Sequence, residues 1–291
     1  MTDDEEKNSM PTLQDSYEEC RQLNAYYGTP FYYALNLFPK NHQPHLQALC
    51  AFSRIITRLV HHPNEGVSKT KQKQALRTYL NELKMALESS HSDDLYLQAI
   101  VHTAKFYDIP YDDFRIYANQ MLKNLDVKEY ATYASLQTHL DRCAGTLGKM
   151  MAHIIGGQKE KAYAHAAKLA RAGHLLELIC DAGKEYDLNK RIYLAQSDLK
   201  KFGCTAKHFK EQKATKKWRT LIEHYLQKIE ADVAYAQKGL KHFHSDTHRA
   251  LHATTQIYLG LVDSIRRMDY NIFRRRPDVS WAHKVRCALP F

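Results

Sequence analysis

The sequence predicts an all-α fold, a single-domain helical bundle, and three observations carry that expectation. Glycine and proline are scarce, 11 and 8 in 291 residues, where average usage would give about 20 and about 15. A barrel or sandwich spends more of both on turns. Pro30, Pro39, Pro44, Pro63, Pro110, Pro277 and Pro290 fall between periodic segments and interrupt none. Alternating strand patterns bounded by Asn-Gly or Asp-Gly turns are absent. With 44% hydrophobic residues, a chain of this length buries a full core and is not disordered throughout.

The elements follow in chain order. Residues 1–28 read as a polar N-terminal segment, mobile at its tip, and residues 29–291 as the helical domain. The acidic start, Met1-Thr-Asp-Asp-Glu-Glu, matches neither a secretory signal nor a transit peptide. Leu46, Leu49, Phe52, Ile56 and Leu59 keep a three-and-four spacing, as do Leu76, Leu80, Leu83 and Leu87. So do Leu169, Ala172, Leu176 and Ile179; then Tyr225, Ile229, Val233, Ala236 and Leu240; then Leu251, Tyr258, Leu261 and Ile265. Each set lines one face of a helix, and Ser245 or Asp246 is placed to cap the last. No linker divides the chain, no repeat is evident, and no stretch reaches the roughly 18 apolar residues of a membrane span. The expectation is a cytoplasmic chain.

Six cysteines stand far apart with no CxxC pair, so they read as reduced, buried, small hydrophobes. Lys+Arg 42 against Asp+Glu 32 gives +10, which suits anionic partners. There is no Gly-rich phosphate loop, HExxH or G-x-S-x-G. Glu177, Asp181 and Glu185 lie four apart, the spacing with which carboxylates on one helical face hold a hard cation against phosphate oxygens. A solvated acidic face is the plain alternative, but Leu175, Leu178 and Ile179 make this an apolar helix for that role. His244, His248 and His252 are also four apart, yet among 17 histidines such a run is expected by chance, and a surface or packing role is the reading taken. Arg266, Arg267, Arg274, Arg275, Arg276, Lys284 and Arg286 interleave with Phe273 and Trp281. That basic segment suits an anionic membrane surface as well as a plain solvated face. Nucleic acid is not expected, since no binding module accompanies the charge.

Read in order, several segments resemble the squalene/phytoene synthase family of head-to-head prenyltransferases. They are Thr29-Pro-Phe-Tyr-Tyr-Ala-Leu-Asn-Leu-Phe-Pro39, Leu46-Gln-Ala-Leu-Cys-Ala-Phe-Ser-Arg54, Tyr130-Ala-Thr-Tyr133, Cys143-Ala-Gly-Thr-Leu-Gly148, Arg191-Ile-Tyr-Leu194 and Tyr270-Asn-Ile-Phe273, with Val279-Ser280 beyond. The resemblance implies an isoprenoid-synthase-type bundle around an apolar cavity. In it, two carboxylate clusters on facing helices bind Mg²⁺, which grips the diphosphates of two prenyl substrates. It also implies a monomer.

The carboxylates depart from that pattern. The family's Arg-x-Val-Asp-Asp-x-x-Asp-Glu becomes Arg54-Ile-Ile-Thr57-Arg58-Leu-Val-His61-His62. The second motif becomes Glu177-Leu-Ile-Cys-Asp181-Ala-Gly-Lys184-Glu185, which keeps Asp181 and lets Glu185 stand in for an aspartate. Asn124 replaces an aspartate of the middle motif, and His139 a cavity-facing tyrosine; His139 and Tyr193 are the candidates lining the cavity. Two readings follow. In one, the chain is catalytically degenerate. It binds a prenyl diphosphate or isoprenoid lipid through Arg54, Arg58, Lys184 and Arg191, or scaffolds a protein partner, as family relatives in respiratory-complex assembly do. In the other, it is a prenyltransferase with a reduced Mg²⁺ site at Glu177, Asp181 and Glu185. Phe31, Phe52 and Met150 are large enough to plug the cavity.

Overall fold

The computed structural model describes residues 11–27, 34–61, 67–157, 159–273 and 275–278. Among them there is no strand, only an isolated parallel bridge between Glu129 and Ile192. Among the described residues the α-helices with full bounds follow in this order: α1 (Leu13–Tyr27), α2 (Gln43–His61), α3 (Lys69–Ser89), α4 (Leu95–Phe106), α5 (Tyr111–Asn124), α6 (Tyr133–Leu140), α7 (Thr146–Ile155), α8 (Lys159–Cys180), α9 (Ala182–Asn189), α10 (Gln196–Lys201), α11 (Ala206–Glu211), α12 (Lys216–Lys238) and α13 (His248–Arg267). The layers form around α8, which packs on α7 and α12, while α1 and α4 pack on α2.

The five periodic sets fall on α2, α3, α8, α12 and α13, except that Leu240 lies just past α12 in a 3₁₀ turn. Pro44 sits in the first turn of α2, where its missing N–H costs nothing. Neither Ser245 nor Asp246 caps α13: both belong to a 3₁₀ turn, Ser245–Thr247, and the residue at the cap is Thr247. Its hydroxyl turns back to the His244 carbonyl at 2.6 Å instead of forward to the helix.

Helix α1 occupies half of the stretch read as a polar N-terminal segment. Its buried face is Ser16, Cys20 and Asn24, at i, i+4 and i+8, so hydrophobic periodicity does not reveal it. Asn24 is satisfied by donating to the Cys20 and Gln47 carbonyls, both at 2.8 Å, which makes its burial tolerable. Further along α1, Tyr17 Oη joins His45 Nδ1 and His102 Nδ1 at 2.8 Å each and Thr103 Oγ1 at 2.9 Å, tying α1 to α2 and α4.

Between α6 and α7 the chain widens into one π turn, Asp141–Gly145. Beyond it Gly148 lets α7 lie against α8: a Cβ there would stand 2.5 Å from the Ala166 carbonyl oxygen and 2.8 Å from Ala170 Cβ. The two long helices are also clamped by Arg171 of α8. It donates through Nε to Asp232 of α12 at 2.5 Å and through Nη1 to Asp141 of the π turn at 3.1 Å. Inside, Phe52 and Met150 have no exposed surface, so the apolar interior is filled at both positions. Phe31 lies outside the described residues. No described helix is long and apolar enough to cross a membrane.

Candidate functional site

The carboxylate row sits where α8 gives way to α9. The Asp181 N–H donates to the Glu177 carbonyl and the Glu185 N–H to the Asp181 carbonyl, both at 2.9 Å. The helical ladder therefore runs through the junction and keeps the three carboxylates near one face. The Glu177 side chain is 43% exposed. Its Oε2 is 3.6 Å from His174 Nδ1, one turn back on α8.

Burial pushes the Glu177 carboxyl up, but His174 and the charges of Arg54 and Arg276 outweigh it and hold the group below its ordinary range. At Asp181 the balance reverses: burial raises the carboxyl more than Arg276 lowers it. Two neighbouring carboxylates are thereby pushed apart, Glu177 toward the charged form and Asp181 toward the neutral one. Arg276, from the segment after α13, places Nη1 3.0 Å from Asp181 Oδ1. Glu185 accepts from Asn189 at 3.2 Å at the outer end of the row.

Helix α2 brings a cation to this row. The Arg54 guanidinium lies 5.0 Å from the centre of the Tyr27 ring, a cation–π distance, and its charge reaches Glu177. Thr57 donates to the Ser53 carbonyl at 2.8 Å and lies beside Tyr117, whose phenol burial keeps protonated. Arg58, turned about 100° from Thr57 by the helical advance, lines an outer depression with Leu23, Leu59 and Lys71. The His61 side chain and His62 lie outside the described residues.

A second polar cluster adjoins the first. Arg191 Nη1 donates to Tyr193 Oη at 3.2 Å, and Tyr130 donates to Asn124 Oδ1 at 3.2 Å. The Tyr130 ring is 5.4 Å from His139 and 6.2 Å from Tyr193. His139 Nδ1 lies 3.4 Å from the Gln120 amide nitrogen. The His139 and His174 rings, 5.9 Å apart, join the two clusters. Lys184 is exposed, though its charge is felt at Asp181.

The structure therefore gathers Arg54, Glu177, Asp181 and Glu185, and beside them Arg191, Tyr193 and His139. The sequence reading missed His174, one turn before Glu177, and Tyr258, whose hydroxyl reaches over Gly173 where a Cβ would collide with it. It also missed the use of Arg276. A divalent ion would have Glu177, Asp181 and Glu185 as donors. Among the described residues, however, no three His, Cys, Asp or Glu side chains converge as a metal requires, and a guanidinium already sits on Asp181. These residues do not fit a trinuclear Mg²⁺ cluster. The run His244, His248, His252 does not converge either: His248 Nε2 is 3.2 Å from the Phe243 carbonyl, and the His244 ring lies 6.3 Å from His42. Burial pushes the Cys20, Cys50 and Cys180 thiols up to about 12, which suits inert packing.

In the basic segment, Arg266 is consumed in ion pairs with Glu223 and Glu230 at 2.8 and 2.6 Å. Arg267 and Arg275 are exposed, while Arg274, Trp281, Lys284 and Arg286 lie outside the described residues.

A family model described as squalene/phytoene synthase matches residues 25–283. A chloroplastic phytoene synthase of Daucus carota is 26% identical over 289 residues, covering 97% of this chain and 71% of the relative. A 15-cis-phytoene synthase of Synechococcus elongatus is 26% identical, covering 97% and 94%. Among solved structures, a dehydrosqualene synthase in complex with ligand superposes with a TM-score of 0.87 at 22% identity, covering 95% of both chains. A squalene synthase from Alicyclobacillus acidocaldarius gives 0.79 at 20%, covering 89% and 96%.

Proposed function

This chain belongs to the squalene/phytoene synthase family, and on that premise we propose that it holds a prenyl diphosphate or related isoprenoid lipid on cationic side chains, and does not condense two of them. The observation that carries this reading is the face of α2, which brings the charge of Arg54 to Glu177 and carries Thr57 in place of a carboxylate where a second set of carboxylates is needed. The family's chemistry explains the weight given to it. Ionising an allylic diphosphate leaves a multiply charged leaving group that must be neutralised in a dry pocket, and metal ions supply several kcal/mol of that stabilisation. A guanidinium pairs with phosphate oxygens directly and binds the ground state, but it does not assemble a metal cluster.

In this reading Arg54 and Arg191 grip the phosphates, and Tyr193 and His139 line the way into the apolar interior. Saturable binding of farnesyl or geranylgeranyl diphosphate, weakened by Arg54→Gln and unaccompanied by pyrophosphate release, is the expected result. Neither binding nor release would sink the reading and leave a scaffold for a protein partner. A second reading, a transferase on a single reduced metal site, is favoured by Glu177 being held in its charged form. Pyrophosphate release abolished by Asp181→Ala would establish it instead.

The same proposal places the chain in the cytoplasm, against an anionic lipid surface met by the exposed Arg267 and Arg275. Flotation with anionic vesicles, lost in the double glutamine variant at those two positions, is the check.

A further inference from the structure

The segment after α13 reverses direction at two consecutive left-handed residues, Asp269 (φ 54°) and Tyr270 (φ 59°). Neither is glycine, so the turn is held against its own preference. What holds it is packing. Trp218 Nε1 donates to the Tyr270 carbonyl at 3.1 Å, Tyr270 Oη donates to Glu223 at 3.1 Å, and Ile272 is buried. The Phe273 ring packs on Trp218 with the ring centres 4.8 Å apart, tilted by 36°. It also lies on Gly183 at the start of α9, where a Cβ would stand 2.9 Å from Phe273 Cδ1. Three residues later Arg276 meets Asp181 at 3.0 Å, and its charge is felt at Glu177 and Cys180.

We infer that Arg276 is a tethered counter-cation that holds Asp181 in place of a divalent metal ion, anchored by Phe273 on Gly183, so that this segment and such an ion are mutually exclusive occupants of the carboxylate. A fixed positive charge beside Asp181 repels a second cation, and the guanidinium already takes one of the two oxygens an ion would use. The family's metal dependence and this chain's side chains are thereby at odds at one identifiable contact. The inference rests on the reading above only in taking Asp181 as part of the site.

The test is Mn²⁺ titration of the full chain, read as the free-ion electron paramagnetic resonance signal. Arg276→Gln is expected to bind one Mn²⁺ on the order of tenfold tighter than wild type, the scale of removing one adjacent like charge. Adding Asp181→Asn should abolish the gain. Gly183→Ala keeps every charge but displaces Phe273, and should move in the same direction as Arg276→Gln. If that variant does not fold, Phe273→Ala releases the same anchor from the other side. Equal Mn²⁺ affinity in wild type and Arg276→Gln overturns the inference, as does a gain that survives Asp181→Asn. A gain in Arg276→Gln with none in either anchor variant overturns the anchoring. Farnesyl diphosphate titrated into the same metal-free samples separates the two claims. Its failure to bind any variant sinks the functional reading, while the manganese result alone judges the tether.

Discussion

Lowering the pH should loosen α1, because the imidazole that fastens it is half-buried in its neutral form. His45 lies edge-on to Tyr107, its ring 4.8 Å away, and stacks with His102 and Phe106 of α4, while its Nδ1 bonds Tyr17 Oη of α1. Burial, and then the nearby His102 and His42, depress its pKa from 6.5 to about 4. The sign follows from linkage. A base harder to protonate in the folded state stabilises the fold fully above its unfolded value, and that contribution is lost as pH falls from about 6.5 toward 4. For a fully buried group the loss at pH 5 would be about 2 kcal/mol. Because His45 is partly exposed, about 1 kcal/mol is a fairer figure, which is roughly 2–4 °C in Tm for a chain of this size. The assay is thermal melting at pH 7.5 and pH 5 for wild type and His45→Gln, since comparing the two cancels carboxylate titration elsewhere. Wild type should lose about 2–4 °C more than the variant over that interval. Equal losses would refute the reasoning. Because Tyr27 at the end of the same helix lies under Arg54, ligand affinity should weaken in parallel.

Two further outcomes follow from packing. Gly148→Ala should destabilise by about 1–3 kcal/mol, since its new methyl meets the Ala166 backbone and the two helices must part; a denaturant melt with an unchanged midpoint would contradict this. Asp232→Asn leaves the buried Arg171 guanidinium short of its main partner and should cost about 3–5 kcal/mol, read as a lower unfolding midpoint, whereas a neutral result would show that Asp141 alone satisfies it.

What could be read in advance, and what could not, divides by distance along the chain. Leu76, Leu80, Leu83 and Leu87 lie on one helix because a 3.6-residue period is a local property, and α2, α8, α12 and α13 follow the same logic. Helix α1 escaped because Ser16, Cys20 and Asn24 make its buried face nearly polar. Helices α10 and α11, six residues each, are too short for a period to show. The carboxylate row was legible from its i, i+4, i+8 spacing. The role of Arg276 was not, because it meets Asp181 across most of the C-terminal third of the chain, through a left-handed turn at Asp269 and Tyr270 with no glycine to announce it. Arg58, one helical turn past Arg54, is exposed and lines an outer depression, an exposure that identity at a motif position does not reveal.

The most direct test of the account is to titrate farnesyl diphosphate into the purified chain by calorimetry, once in Mg²⁺ and once in EDTA, while monitoring pyrophosphate. The proposal that side-chain cations stand in for the metal predicts saturable binding in both buffers, with affinities within about threefold (under about 1 kcal/mol) and no pyrophosphate. Binding that disappears in EDTA, or pyrophosphate released only with Mg²⁺, would contradict it and make this chain a working metal-dependent member of its family.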